Sequence, residues 1–197
     1  MKKGCLIAAV VAVVIVLSGF VWVKNTYNGF VKQQESVDAA WAQVENVYQR
    51  RADLIPNLVA TVKGYAKHEQ ETLDKVVSAR AKATQITVDP NDLSEEKLKE
   101  YQAAQGELGS ALGKLLAITE NYPDLKANEN FLQLQAQLEG TENRIAVERK
   151  SFNEVAQTYN SAIRQFPGNI LAGMFGFDRK PYFEAESGAE KAPEVQF

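Results

Sequence analysis

The chain has 197 residues, 45% of them hydrophobic and 24% charged, with 22 Lys and Arg against 25 Asp and Glu and a net charge of −3. That length allows one domain of ordinary size beside a membrane segment. A single cysteine excludes a disulfide framework and structural zinc, and a single histidine, His68 with Tyr65 three residues before it, excludes the paired Glu-x-x-His ligands of a di-iron bundle.

Behind Met1, Lys2 and Lys3, the stretch from Gly4 to Val23 carries no charge. About 20 apolar residues at roughly 1.5 Å each cross a hydrocarbon core of about 30 Å, so residues 1–24 read as an N-terminal transmembrane anchor, with the lipid bilayer as partner of Gly4 to Val23. A cleaved signal peptide is the rival reading. It is disfavoured because Leu17-Ser18-Gly19 is followed by Phe20, Val21, Trp22 and Val23, an aromatic-flanked membrane exit. Cys5 precedes the apolar run, which is the wrong order for a lipidation signal. Lys2 and Lys3 on one side against Lys24 and Lys32 on the other give a slight positive-inside bias. The expectation is a single-pass membrane protein with its domain outside the cytoplasm, and the opposite topology stays open. Of the 22 basic residues, Lys2, Lys3 and Lys24 flank the anchor, which leaves 19 against 25 acidic ones, a net of −6. An acidic domain without a basic stripe is a poor nucleic-acid binder, and none is expected as a partner.

Past the anchor the composition is helical, with breaks at Asp53 to Pro56, Ile86 to Ser94, Asn121 to Asp124 and Phe166 to Gly168, each marked by proline. The first helix is expected over Tyr27 to Arg51, with Tyr27, Phe30, Val37, Trp41, Val44 and Tyr48 on one face. The second runs from Pro56, suited to a first helical turn, to about Thr84. One kinked helix through Pro56 is the alternative. It is set aside because the two together would be about 90 Å long. The third helix starts after Ser94, an N-cap followed by Glu95 and Glu96. In the fourth, Phe131, Leu138, Ile145, Phe152, Tyr159 and Phe166 recur every seven residues. Its companion seam is polar at Thr141 or Glu142 and at Glu148 or Arg149, so buried charge there needs a partner, and Arg51 in the seam of Phe30, Val37 and Val44 is the candidate. The fold class is all-α: an N-terminal transmembrane helix followed by a long antiparallel four-helix up-and-down bundle over 25–183. Residues 184–197 are polar, small and acidic and read as a disordered tail.

Several segments together resemble the LemA family of bacterial membrane-anchored helical proteins. They are Arg50 to Leu58 with Val62 to Tyr65 and His68-Glu69, Glu120 to Ala127, Thr141 to Ala146, Tyr159-Asn160 and Phe166 to Asn169. The match runs from the anchor to about Phe183, with Phe152 standing where the family pattern expects Tyr. The resemblance implies an N-terminal anchor, often drawn with the short N-terminus outside, and a four-helix bundle. It implies no enzymatic activity, no catalytic residues and no cofactor.

The residues themselves offer little chemistry. Gly109 to Lys114 imitates a phosphate loop but is one residue short, continues into Leu115 and lies within a helix, so small-residue packing is the better reading. His68-Glu69 reads as a solvated helix face, and so do Glu139 and Glu142. Binding is the stronger expectation. In an up-and-down bundle the first and third turns lie together, which would gather Arg50, Arg51, Asp53, Pro56 and Asn57 with Tyr122, Pro123, Asp124, Lys126 and Asn128 at a tip far from the bilayer. Helix capping alone explains the same residue types. At the other end Ile170, Leu171, Met174, Phe175 and Phe177 are too apolar for a free tail. They are expected to dock over the bundle's end or to meet lipid headgroups or a second membrane protein. The leading function is a non-enzymatic interaction or scaffold module with a membrane or envelope protein as partner, or with a second copy of itself. The alternative is a ligand-binding or enzymatic bundle using buried polar residues of the second and fourth helices. A transmembrane sensor is disfavoured because Met1 to Lys3 offers little to carry an output.

Overall fold

The computed structural model describes residues 2–66 and 68–184. The helices are α1 (Lys2–Tyr65), α2 (Gln70–Gln85), α3 (Glu95–Thr119), α4 (Pro123–Lys126), α5 (Glu129–Arg164) and α6 (Gly168–Phe175), with a 3-10 turn at Pro90–Asp92. Among the described residues there is no strand. They form two compact units, Met1–Ala39 with Glu154–Lys180, and Ala40–Asn153 with Pro181–Phe197. The tail expected from 184 onward lies outside the described residues except for Glu184.

The largest departure from the sequence reading is at Pro56. The separate anchor, the helix ending at Arg51 and the break at Asp53 to Pro56 are all replaced by one helix, α1, which is interrupted only after Tyr65. Proline inside a helix costs about 3 kcal/mol or more, because it leaves the carbonyl four residues earlier without its amide donor. Here that carbonyl belongs to Ala52, and Arg80 Nε of α2 donates to it at 2.8 Å. A hydrogen bond from a charged donor contributes about 1.5–3 kcal/mol and offsets much of the loss. The length objection also falls, because α2 is not collinear with α1. From Tyr27 to Tyr65 the helix covers only about 57 Å at 1.5 Å per residue.

In the unit containing Ala40–Asn153, α1, α2, α3 and α5 share one core, to which α4 adds Leu125. Ile55, Leu58 and Val62 of α1 meet Leu73, Val76, Ala79 and Ala83 of α2, Leu108, Leu112 and Leu115 of α3, and Phe131 and Leu138 of α5. Beside them Trp41 is ringed by Tyr101, Phe152 and Phe183 at 5.3–6.0 Å between centroids. Ser94 caps α3 by accepting from the Lys97 amide at 3.2 Å, as its sequence context predicts. Asn153 holds Phe183 by both backbone groups, donating to its carbonyl at 3.0 Å and accepting from its amide at 2.9 Å.

In the other unit, Asn160 makes the same two-bond clamp on Lys180, at 2.8 and 2.9 Å. Burial, with help from Asp178 and Asp38, pushes the Tyr159 hydroxyl up to about 12. The seven-residue series of α5 stays buried from Phe131 through Tyr159, but Phe166 is 82% exposed, because α5 ends at Arg164. α6 closes on Gly176, whose φ of 73° is the left-handed cap that glycine adopts without a Cβ clash.

Candidate functional site

Among the described residues Arg51 is the one buried arginine, and its side chain is 3% exposed. One guanidinium nitrogen, Nη1, donates to Glu142 Oε2 of α5 at 2.9 Å. The other, Nη2, donates to both the main-chain carbonyl and Oε1 of Gln105 on α3, at 2.9 and 2.8 Å. The Gln105 amide donates onward to the Ala83 carbonyl at 3.3 Å, and the guanidinium carbon lies 5.1 Å from the centre of the Tyr48 ring. A desolvated charge is tolerated only with such partners. The Arg51 to glutamate pair expected from the α5 seam is therefore present, and Glu142 is the residue that supplies it. Its carboxylate side chain stays 56% exposed, so the pair is buried on one side and open on the other.

The open side is a groove of about 940 Å³. Ala103, Gly106, Gly109, Ser110, Gly113 and Leu116 of α3 line one wall, Gln135, Leu138, Glu139, Glu142 and Arg149 of α5 the other, and Tyr48, Arg51 and Gln105 belong to its lining as well. At Glu184, the backbone carbonyl accepts from Gln102 at 2.9 Å and Arg149 at 2.7 Å. A Cβ added at Gly106 or Gly113 would meet nothing within 4 Å, and at Gly109 only Arg51 Nη1 at 3.7 Å. Of the glycines that the sequence suggested for close packing, Gly109 therefore lies against Arg51, whereas Gly113 faces open space. Nearby, burial pushes the Tyr101 hydroxyl well above the usual tyrosine range, and it pushes the Glu45 carboxyl up against the opposing pull of the Trp41 indole.

The ten residues expected at a distal tip do not come together. The turn between α1 and α2 lies at Ala66 to Glu69, so Arg50 to Asn57 sit two to four turns back along α1. Arg51 is buried as described; Arg50, Asp53, Pro56 and Asn57 are exposed, and Asp53 accepts from the Gln49 amide at 2.7 Å. Tyr122, Pro123, Asp124, Lys126 and Asn128 do form one turn, built around α4. Its partners across the fold are Glu69, which accepts from the Tyr122 hydroxyl at 2.8 Å, and Tyr65, whose hydroxyl accepts from Asn128 at 3.0 Å. The bond to Glu69 raises the Tyr122 hydroxyl. Asn128 also caps α5 through the Phe131 amide at 3.0 Å, and Lys126 pairs with Glu120 at 2.5 Å.

In the unit of Met1–Ala39 with Glu154–Lys180, Leu171 is buried, Phe177 is half-buried, and Ile170, Met174 and Phe175 are exposed. Among the described residues no group of His, Cys, Asp and Glu gathers as a metal ligand set. The groove itself was missed in the sequence, although its signal is visible there: three glycines, 106, 109 and 113, inside a predicted helix.

Comparison with known proteins gives a match to the LemA family over residues 40–197. Magnetosome protein MamQ 2 of Paramagnetospirillum magneticum is 28% identical over 198 residues, covering 92% of this chain and 73% of the relative. Magnetosome protein MamQ of Magnetospirillum gryphiswaldense is 30% identical over 181 residues, covering 83% and 66%. Protein LemA of Metamycoplasma hominis is 28% identical over 158 residues, covering 80% and 68%.

Proposed function

This chain belongs to the LemA family, and from that premise we propose a membrane-anchored, non-enzymatic helical module that receives a partner in the groove between α3 and α5. In this reading α1, α2, α3 and α5 form an antiparallel up-and-down bundle. Gly4 to Val23 is a single span of the bacterial inner membrane, with the bundle outside the cytoplasm. The span is supported by an apolar stretch of α1 long enough to cross a bilayer and bare of protein cover. The relatives from magnetosomes are named for a structure and not for a reaction, which lends support to an interaction role.

The observation that carries the reading is the glycine wall. Each interior helical glycine costs about 1 kcal/mol relative to alanine, and Gly106 and Gly113 have no neighbour in the chain that requires them. An occupant from outside does. Leu112, Leu116 and Leu138 offer it apolar contact, and Glu139, Glu142 and Arg149 offer charge. A photo-crosslinking residue at Ser110 of the full chain, in its own membrane, tests this. Discrete adducts that vanish with Gly113→Leu, in a chain of unchanged or raised stability, are expected. Adducts at Asn57 and Asn128 with none at Ser110 would instead restore the distal tip.

A second reading is favoured by one feature of the same groove. Its volume lies in the range of roughly 300–1,000 Å³ that small-molecule sites occupy, and a buried guanidinium is paired there with a carboxylate free to swing outward. A carboxylate- or phosphate-bearing ligand would then take the place of Glu142 on Arg51. Titration with such ligands, compared between the wild type and Glu142→Gln, separates the two readings.

A further inference from the structure

α6 is apolar on both sides. Its sequence from Gly168 to Phe175 has no charged residue, and Gly168, Leu171 and Ala172 are buried against the protein. Away from that face Ile170, Phe175 and Met174 are exposed, Met174 at 72%, and Phe166 stands free just ahead of the helix. Ile170 and Met174 are four residues apart, the spacing that aligns side chains on one helix face, and Phe166 lies in the turn that leads into α6. A helix that is hydrophobic all round is normally covered all round.

The position of α6 shows what covers it. The Tyr27 ring of α1 meets Phe175 and Phe177 edge-on, at 5.0 and 5.5 Å between centroids, and Phe30 meets Phe177 at 5.4 Å. Gly168 approaches Phe30 so closely that a Cβ there would come within 3.0 Å of the ring. These contacts fix α6 to α1 beside Tyr27, four residues past Val23, a rise of about 6 Å. The polar layer of a bilayer is roughly 5–8 Å thick on each side of the hydrocarbon core. We infer that Phe166, Ile170, Met174 and Phe175 are seated in that layer, so that α6 lies on the bilayer as a second, interfacial contact beside the span. The inference rests on the reading of Gly4 to Val23 as a span. The contact is apolar and requires no anionic lipid, which agrees with the acidic composition of the domain. Its consequence is mechanical: a span and an interfacial helix locked to each other through Tyr27 and Phe30 hold that unit to the bilayer at two points.

The test uses the full chain with Cys5→Ser and one added cysteine, Met174→Cys, Ile15→Cys or Glu139→Cys, carrying an environment-sensitive fluorophore. The chains are reconstituted in phosphatidylcholine vesicles with or without lipids bearing nitroxides both near the headgroup and deep in the acyl chain. Several-fold quenching at positions 174 and 15, with none at 139, is the expected result. Quenching at 15 without quenching at 174 overturns the interfacial helix and leaves the span intact. Quenching at neither position overturns both. A blue shift at 174 that grows with protein density and ignores the nitroxide lipids overturns the inference in favour of a second copy as the cover.

Discussion

Phe152 and Phe166 occupy the same seven-residue register of one sequence pattern, yet Phe152 is 0% exposed and Phe166 stands in the open. They belong to different units. In the unit of Ala40–Asn153, aromatic side chains are enclosed by protein: Phe152 lies edge-on to Trp41 and Phe183, and Tyr101 lies against Trp41 and Tyr48. In the unit of Met1–Ala39 with Glu154–Lys180, apolar side chains from Leu6 through Trp22, and again Phe166, Ile170 and Met174, are exposed. The same residue types are therefore solvated in two ways, and hydrophobic pattern alone does not say which.

The sharpest way to break that contrast is to truncate both rings. Phe152→Ala should cost about 4 kcal/mol of unfolding free energy in detergent, as buried aromatic truncations do, and Phe166→Ala less than about 0.5 kcal/mol. Comparable losses at the two positions would erase the distinction between the units. Next in size is Arg51→Ala, expected to cost about 3 kcal/mol, because Gln105 and Glu142 lose the charge they were arranged around. Arg51→Met should cost less, since it refills the volume. A loss within about 0.5 kcal/mol for Arg51→Ala would show that the charge is not held as the geometry indicates.

Smaller effects probe α1. Arg80→Ala should cost about 1–2 kcal/mol and much less in a Pro56→Ala background, where the restored amide serves the Ala52 carbonyl. Additive effects in that cycle would mean that Arg80 does not compensate for the proline. Smallest is Glu45→Gln. Burial raises the Glu45 carboxyl above its ordinary value of 4.5, so the folded state binds the proton more tightly than the unfolded one. The resulting stabilisation is complete below pH 4.5 and is lost as the pH rises through the raised folded value. The glutamine variant should match the wild type at acid pH and exceed it at neutral pH, by less than about 0.5 kcal/mol because the carboxyl keeps much of its water. A variant that is less stable at neutral pH would contradict this.

The apolar span, the Ser94 cap, the α5 register and the need of Arg51 for a glutamate are all local or periodic features, and each is readable in the sequence. Pro56 is not. Its rescue comes from Arg80, 24 residues further on, and no local rule for proline contains that donor. The true turn at Ala66 to Glu69 is equally silent, since it has no proline and is tied through Glu69 to Tyr122 and through Tyr65 to Asn128. Misplacing that turn by about ten residues dispersed the tip. It also hid the groove, because Arg51 stands at the end of the expected first helix, whereas it lies well inside α1.

The continuity of α1 through Pro56 is what carries the core stripe of Ile55, Leu58 and Val62 past the proline on one helix, and a spin-label distance reads it directly. Labels at Asn46 and Lys63, both exposed, in the full chain with Cys5→Ser, should lie about 25 Å apart along one helix at 1.5 Å per residue, plus the reach of the labels. A narrow distribution near that value is the predicted result. A chain that turns back at Asp53 to Pro56 would bring the two labels to less than about 15 Å, two adjacent helices being about 10 Å apart, and that distance would contradict the continuous helix.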